Sequence, residues 1–350
     1  MFILYTTEDM LYHICQEANS NSVCKTWYQI ITKTKQVAID KDECDVTNEW
    51  VQQLHRMGVK IYSEKEWLDG VRENNSFILE EPTAAYILDM LESEAQLLNN
   101  EYGVWCQSSL KELESPIFVE PDWYIETSDD TKEKNWNALL SGLSVPTNTI
   151  ILLDRYLFSS TSGENIEDSF SNIKQILNLL LPKKVAGNIL DVSIIFDFEQ
   201  INFKKDKKPD GTDITMAYLA KRINKLKGEI KRDYPYNVSL ISISRNCPEY
   251  DKTHNRRILS NYYLVTADHK LKAYRENKAL CEQNLTFLYI FSKGLVNPRS
   301  SMPEVTRHNT IGYIKKILDA EKKAQKSEVI IYRNGKEISI SEYSNTLLQV

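Results

Sequence analysis

His254-Asn255-Arg256-Arg257-Ile258-Leu259-Ser260-Asn261-Tyr262-Tyr263-Leu264-Val265 is the stretch whose reading decides the fold of the second half of this chain. It opens with polar groups able to hold a phosphate. It then runs into β-branched and aromatic residues of the kind that form a buried strand. Side chains alternate across a strand, so His254 and Arg256 share one face. Asn261 falls on the opposite parity unless a bend or bulge intervenes.

Working upstream, residues 148–158 and 190–198 read as strands, each too apolar to face water on either side. Residues 170–181 and 213–233 carry helical periodicity, and 237–244 reads as a further strand. The order is βαβαββ, ending on the stretch above. With the spacing His254-x-Arg256-x4-Asn261, it resembles the phospholipase D-like superfamily, whose motif is His-x-Lys-x4-Asp at a strand start. The resemblance covers roughly the second half of the chain.

In active members the resemblance implies a histidine that attacks phosphorus, a second motif whose histidine protonates the leaving oxygen, and lysines that hold the phosphate. It implies no metal or other cofactor. Here the motif occurs once, because His13, His55, His269 and His308 have no cation two residues on. A homodimer would have to supply the second copy. Arg256 can bind phosphate through two parallel hydrogen bonds, whereas Asn261 cannot supply a carboxylate. Three readings stay open: a binding module that keeps a phosphate-sized pocket, a dimeric phosphodiesterase or nuclease, and a structural scaffold for protein interaction. An acidic two-lobed chain of this sort would suit a bacterial defence or mobile-element system.

Charge divides the chain. Residues 1–148 hold 11 Lys plus Arg against 26 Asp plus Glu, and the remainder holds 32 against 23. The halves therefore differ in sign, −15 against +9, and should meet different partners or each other. Four lysines crowd one loop, Lys204, Lys205, Lys207 and Lys208, and the helix after it carries Lys221, Arg222 and Lys225. Like charges repel unless an anion neutralises them. Arg257 adds a cation to the motif. These residues point to nucleic acid, since no exposed amphipathic apolar stretch accompanies them to favour a membrane surface.

In the acidic half, residues 2–5, 36–39, 59–62 and 77–79 read as strands. Residues 8–18, 46–57 and 64–72 read as helices, and another opens at Pro82 with a stripe of Ala84, Ile87, Leu88, Leu91, Ala95 and Leu98. This predicts a Rossmann-like α/β layer with a mostly parallel sheet. Acids follow two strands: Asp40, Asp42, Glu43 and Asp45, then Glu80 and Glu81. A metal-dependent nuclease of the PIN type needs such carboxylates to converge, which makes Asp40, Asp42, Asp45 and Glu80 candidate metal ligands. Solvated acidic loops are the plainer explanation.

The expected organisation is an acidic α/β domain over residues 1–130 and a connection over 131–147. A phospholipase D-like α/β domain follows over 148–320, then a charged linker and β-hairpin over 321–350. The hairpin is signalled by Asn334-Gly335 between two apolar runs. Six cysteines without a Cys-x-x-Cys pair give no zinc or disulfide spacing and fit a reducing cytoplasm. No run of eighteen apolar residues is present, and the amino-terminal residues do not resemble a signal peptide.

Overall fold

The computed structural model describes residues 2–81, 83–119, 123–127, 135–141, 143, 145–161, 163–183, 190–275, 278–292, 302–324 and 328–348. Pro82, residues 131–134 of the expected connection and residues 325 and 326 of the charged linker lie outside these.

The first lobe contains β1 (Leu4–Thr6), α1 (Glu8–Glu17), α2 (Ser22–Thr34), β2 (Gln36–Ile39), α3 (Glu49–Arg56), β3 (Lys60–Ser63), α4 (Lys65–Glu73), β4 (Ala85–Leu88), α5 (Glu92–Tyr102) and β5 (Trp105–Ser108). Its five strands are all parallel in the order β3-β2-β1-β4-β5. Capping residues start the helices: Thr7 accepts the N–H of Met10, Asn21 those of Val23 and Cys24, and Asn48 those of Trp50 and Val51.

The expected strand over 77–79 is instead part of a 3-10 helix, Asn75–Glu80. The helix expected from Pro82 is a strand followed by a helix. Ala85, Tyr86, Ile87 and Leu88 are all buried, so the apolar run is a central strand of a parallel sheet. The three-to-four spacing continues into α5 by coincidence.

The second lobe contains β6 (Trp123–Thr127), α6 (Asn137–Leu140), β7 (Thr149–Leu153), α7 (Ile166–Leu180), β8 (Leu190–Phe196), α8 (Met216–Glu229), β9 (Tyr236–Ile243), β10 (Arg256–Leu259) and β11 (Tyr263–Ala267). It continues with β12 (Tyr274–Arg275), β13 (Lys278–Ala279), β14 (Gln283–Tyr289), α9 (Pro303–Ala324), β15 (Val329–Arg333) and β16 (Lys336–Ile338). Nine of these strands form a mixed sheet in the order β16-β15-β9-β8-β7-β10-β11-β14-β6. Strands β7, β8 and β9 are parallel, linked by α7 and α8, and β10 runs antiparallel to β7.

Three sequence expectations change here. Residues 123–127, counted with the first domain, pair with β14 and edge the second sheet. The decisive stretch is a hairpin, β10 and β11, turning at Ser260 to Tyr262. Residues 321–324 belong to α9 and not to a linker, with Glu321 buried. The carboxy-terminal hairpin packs back on the lobe, β15 pairing antiparallel with β9.

Apolar side chains of β8 alternate between two cores, Val192 and Ile194 on one face and Ile195 on the other. The first core lies under α7 and α8 and continues into the first lobe through Phe2, Trp27, Trp105, Phe118, Tyr262 and Phe291. The second lies under α9 and the tail, where Tyr343 meets Ser193 at 2.8 Å. Between the lobes, the Tyr262 hydroxyl accepts the N–H of Trp105 at 2.6 Å and donates to the carbonyl of Ala84 at 2.7 Å. Gly103 has φ +62°, and a Cβ there would stand 2.4 Å from the carbonyl carbon of Thr147. Only glycine permits that approach. No helix among the described residues is long and apolar enough to cross a membrane.

Candidate anion-binding site

The carboxyl ends of parallel strands are where an open α/β sheet usually places its site. Here β7 ends in Asp154-Arg155-Tyr156 and β8 in Asp197, all but Tyr156 buried. The Asp154 carboxylate accepts the N–H of Tyr156 at 2.9 Å and that of Leu271 at 2.8 Å. Burial pushes its pKa up, against those two N–H groups and the charges of Arg256 and Lys270. Asp197 accepts the N–H of Glu199 at 2.9 Å, the Gln200 amide at 3.0 Å and the Tyr250 hydroxyl.

Tyr250, so held, lies under the Arg155 guanidinium, 4.3 Å from ring centre to Cζ. One residue on, Tyr156 lies under Arg256 at 5.2 Å and meets the His254 ring edge-on at 6.0 Å. Residues 155 and 156 thus pair with residues 250 and 256, giving two arginine planes each backed by a tyrosine. Neither aspartate forms an ion pair with either arginine among the described residues, since both carboxylates are spent on N–H groups and a phenol. The Nε atoms of Arg155 and Arg256 are buried without a hydrogen-bond partner. His254 is exposed. Partial desolvation of the imidazole, then Arg256 and Arg155, lower its pKa against the pull of Asp251, which favours the neutral ring.

The third motif residue is elsewhere. Asn261 sits in the β10–β11 turn, at the other end of a four-residue strand, roughly 13 Å away by strand rise. It accepts the N–H of Asn148 at 3.2 Å and donates to the Asn148 side chain at 2.9 Å. An aspartate could not make the second bond, so the amide clamps the turn to the start of β7. Arg257 points to the opposite face from Arg256 and donates to the Thr310 hydroxyl.

A second charged cluster adjoins the first. Lys270, Lys272 and Glu164 are almost wholly buried, with Lys270 Nζ 2.5 and 2.6 Å from the two Glu164 oxygens and Lys272 Nζ at 3.2 Å. Burial works against the Glu164 carboxylate, but the Lys270 bond, the N–H of Thr161 and the Lys272 charge hold its pKa down at about 2. Burial lowers the pKa of Lys272, opposed by Glu164.

The lysine loop reaches the same sheet edge. Lys205 donates to the carbonyl of Thr161, whose hydroxyl receives Lys270 at 3.2 Å. Lys207 is paired with Asp213, and Lys208 lies over the Tyr218 ring at 6.0 Å. Lys204 is exposed, as are Lys221 and Lys225 on α8, while Arg222 is bound to Glu167 and covers Phe170.

The acidic residues of the first lobe are not brought together. Asp40 accepts the N–H of Glu8 at 3.0 Å, Asp42 pairs with Lys65 at 3.0 Å, and Asp45 holds Thr47. Glu80 ends the 3-10 helix. Among the described residues, no group of three or more His, Cys, Asp or Glu side chains stands close enough to hold a metal ion.

Sequence reasoning missed Arg155, Tyr156, Tyr250, Lys270 and Lys272. One signal was present: Asp154-Arg155 directly follows a continuous apolar strand, and Asp197 follows another. Compared with known proteins, the chain matches no family model and no curated protein.

Proposed function

We propose that this chain is a cytoplasmic phosphate- or nucleic-acid-binding protein whose second lobe uses a degenerate phospholipase D-like site without catalysis. The observation that carries this reading is the pair of tyrosine-backed arginines, Arg155 and Arg256, beside His254. Arg256 is only half-buried and can meet an external anion, Arg155 adds its charge from a buried position, and the lysine loop extends the same edge along a polyanion's path. Binding needs only cations and donors. Catalysis by His254 would also need an orienting carboxylate, and Asn261 is an amide engaged at the far end of the strand.

In a salt-dependent titration with duplex and single-stranded oligonucleotides, Arg256→Ala should weaken binding by roughly 1.5–3 kcal/mol, the scale of a charge-assisted hydrogen bond. Changing Lys204, Lys205, Lys207 and Lys208 to serine should flatten the log–log salt slope, which runs at about −0.9 per phosphate contacted on duplex. Unchanged affinity and slope in both variants would remove the reading. Equal binding to anionic vesicles would move it to a membrane surface.

One observation favours a second reading: His254 is exposed and its pKa is held below the usual imidazole value, which favours the neutral ring that a nucleophile needs. A homodimer would have to bring two such rings to one phosphate. Trapping a phosphohistidine at position 254 would establish it.

A further inference from the structure

At the opposite end of the large sheet's parallel strands, where β8 and β9 begin, residues of both lobes line a wide-mouthed cavity of about 980 Å³. Its size is at the upper end of the range for small-molecule sites. Trp105 of the first lobe and Leu140 and Tyr263 of the second form apolar walls. Tyr263 is 2% exposed, and its hydroxyl, which has Ser260 as a neighbour, makes no well-formed hydrogen bond among the described residues. A buried hydroxyl left open in this way calls for a group that completes it.

The rim has a different chemistry. Lys183 and Lys231 are exposed there beside one acid, Asp233. The Asn100 and Asn137 amides also line it, and neither side chain bonds to another described residue. Arg232 lines it too but is consumed, its guanidinium donating to the carbonyls of Pro182 at 3.1 Å and Asn178 at 2.7 Å. That bonding ties the end of α7 to the loop before β9 and fixes the wall. The cavity therefore offers aromatic surface and a buried hydroxyl within, amides at the side, and at the mouth two ammonium groups with no ion pair among the described residues. A planar heterocycle that carries a phosphate matches that sequence of groups.

We infer that this inter-lobe cavity is a second ligand site, taking a mononucleotide whose ring lies against Trp105 and Tyr263 and whose phosphate meets Lys183 and Lys231. The site is separate from Arg155 and Arg256, which lie at the other end of the five-residue strand β7. Calorimetric titration of the full chain with the purine and pyrimidine nucleoside monophosphates, their nucleosides and inorganic phosphate tests it. At least one monophosphate should bind at one per chain, with its nucleoside and inorganic phosphate each about tenfold weaker or more. Lys183→Ala with Lys231→Ala should erase the gap between nucleotide and nucleoside. Tyr263→Phe should weaken both a few-fold, and Arg256→Ala should leave the gap between nucleotide and nucleoside in place. Absence of saturable monophosphate binding to the unaltered chain would overturn the inference, as would binding that the double lysine variant leaves intact. Binding lost in Arg256→Ala would also overturn it, by assigning the nucleotide to the other edge.

Discussion

The carboxyl ends of the parallel strands in the two sheets differ in what they do with their acids. In the first lobe Asp40, Asp42 and Asp45 are each spent on a neighbour, and none meets another. In the second, Asp154 and Asp197 are buried on adjacent strands and fix, directly or through Tyr250, the residues that carry Arg155 and Arg256. The first lobe carries a large excess of carboxylates over bases, but among its described residues it gathers none of them into a metal-sized group. Burial and convergence make a site; abundance of charge does not.

The contrast predicts unequal costs of removing one carboxylate. Glu164→Gln would leave Lys270 and Lys272 buried without a counter-charge, and urea unfolding should show a loss of roughly 3–5 kcal/mol. The same pair gives an acid limb. The folded pKa of about 2 lies below the usual glutamate value. Its stabilising contribution is therefore fully present above the unfolded value near 4.3, and is lost as pH falls toward 2. Glu164→Gln should flatten that limb; an unchanged acid profile would show that the cluster does not set it.

A smaller effect is expected where one hydroxyl orients an arginine. Tyr250→Phe keeps the ring under Arg155 and removes the bond to Asp197. Oligonucleotide affinity should fall by about 1 kcal/mol, with the far-ultraviolet spectrum unchanged. Equal affinity would mean that the stacking alone holds Arg155. The smallest effect belongs to the first lobe. Asp42 and Lys65 pair in the open, with side chains 73% and 47% exposed. Asp42→Asn should leave the urea unfolding midpoint unchanged within error. A lowered midpoint would break the contrast between the two sheets.

The same physical distinction explains what could be read in advance. Periodic segments such as residues 36–39 and 190–198, and the Asn334-Gly335 hairpin, were legible because local pattern and turn chemistry act within a few residues. Residues 77–98 misled because a buried strand and an amphipathic helix share the same apolar letters over a short window. Helix α2 went unread, although Asn21 caps it and Lys35 ends it in the left-handed region. At the site, His254 and Arg256 were legible as neighbours. Their partners Tyr156 and Tyr250 were not, since contacts between separate strand ends leave no spacing in the sequence. Asn261 carried the motif's spacing, but the turn at its position sends it to the other end of the strand.

Strand β15 has a consequence for synthesis. It closes the outer edge of β9, with Val329 opposite Ile243, and the intervening residues must be made before that edge can pair. At roughly 5–20 residues per second, a ribosome holds β9 with an open row of N–H and C=O groups for about 5–20 seconds. The nascent chain is most exposed to pairing with a neighbour on the same polysome during that interval, and its yield should fall as translation of the last quarter is slowed.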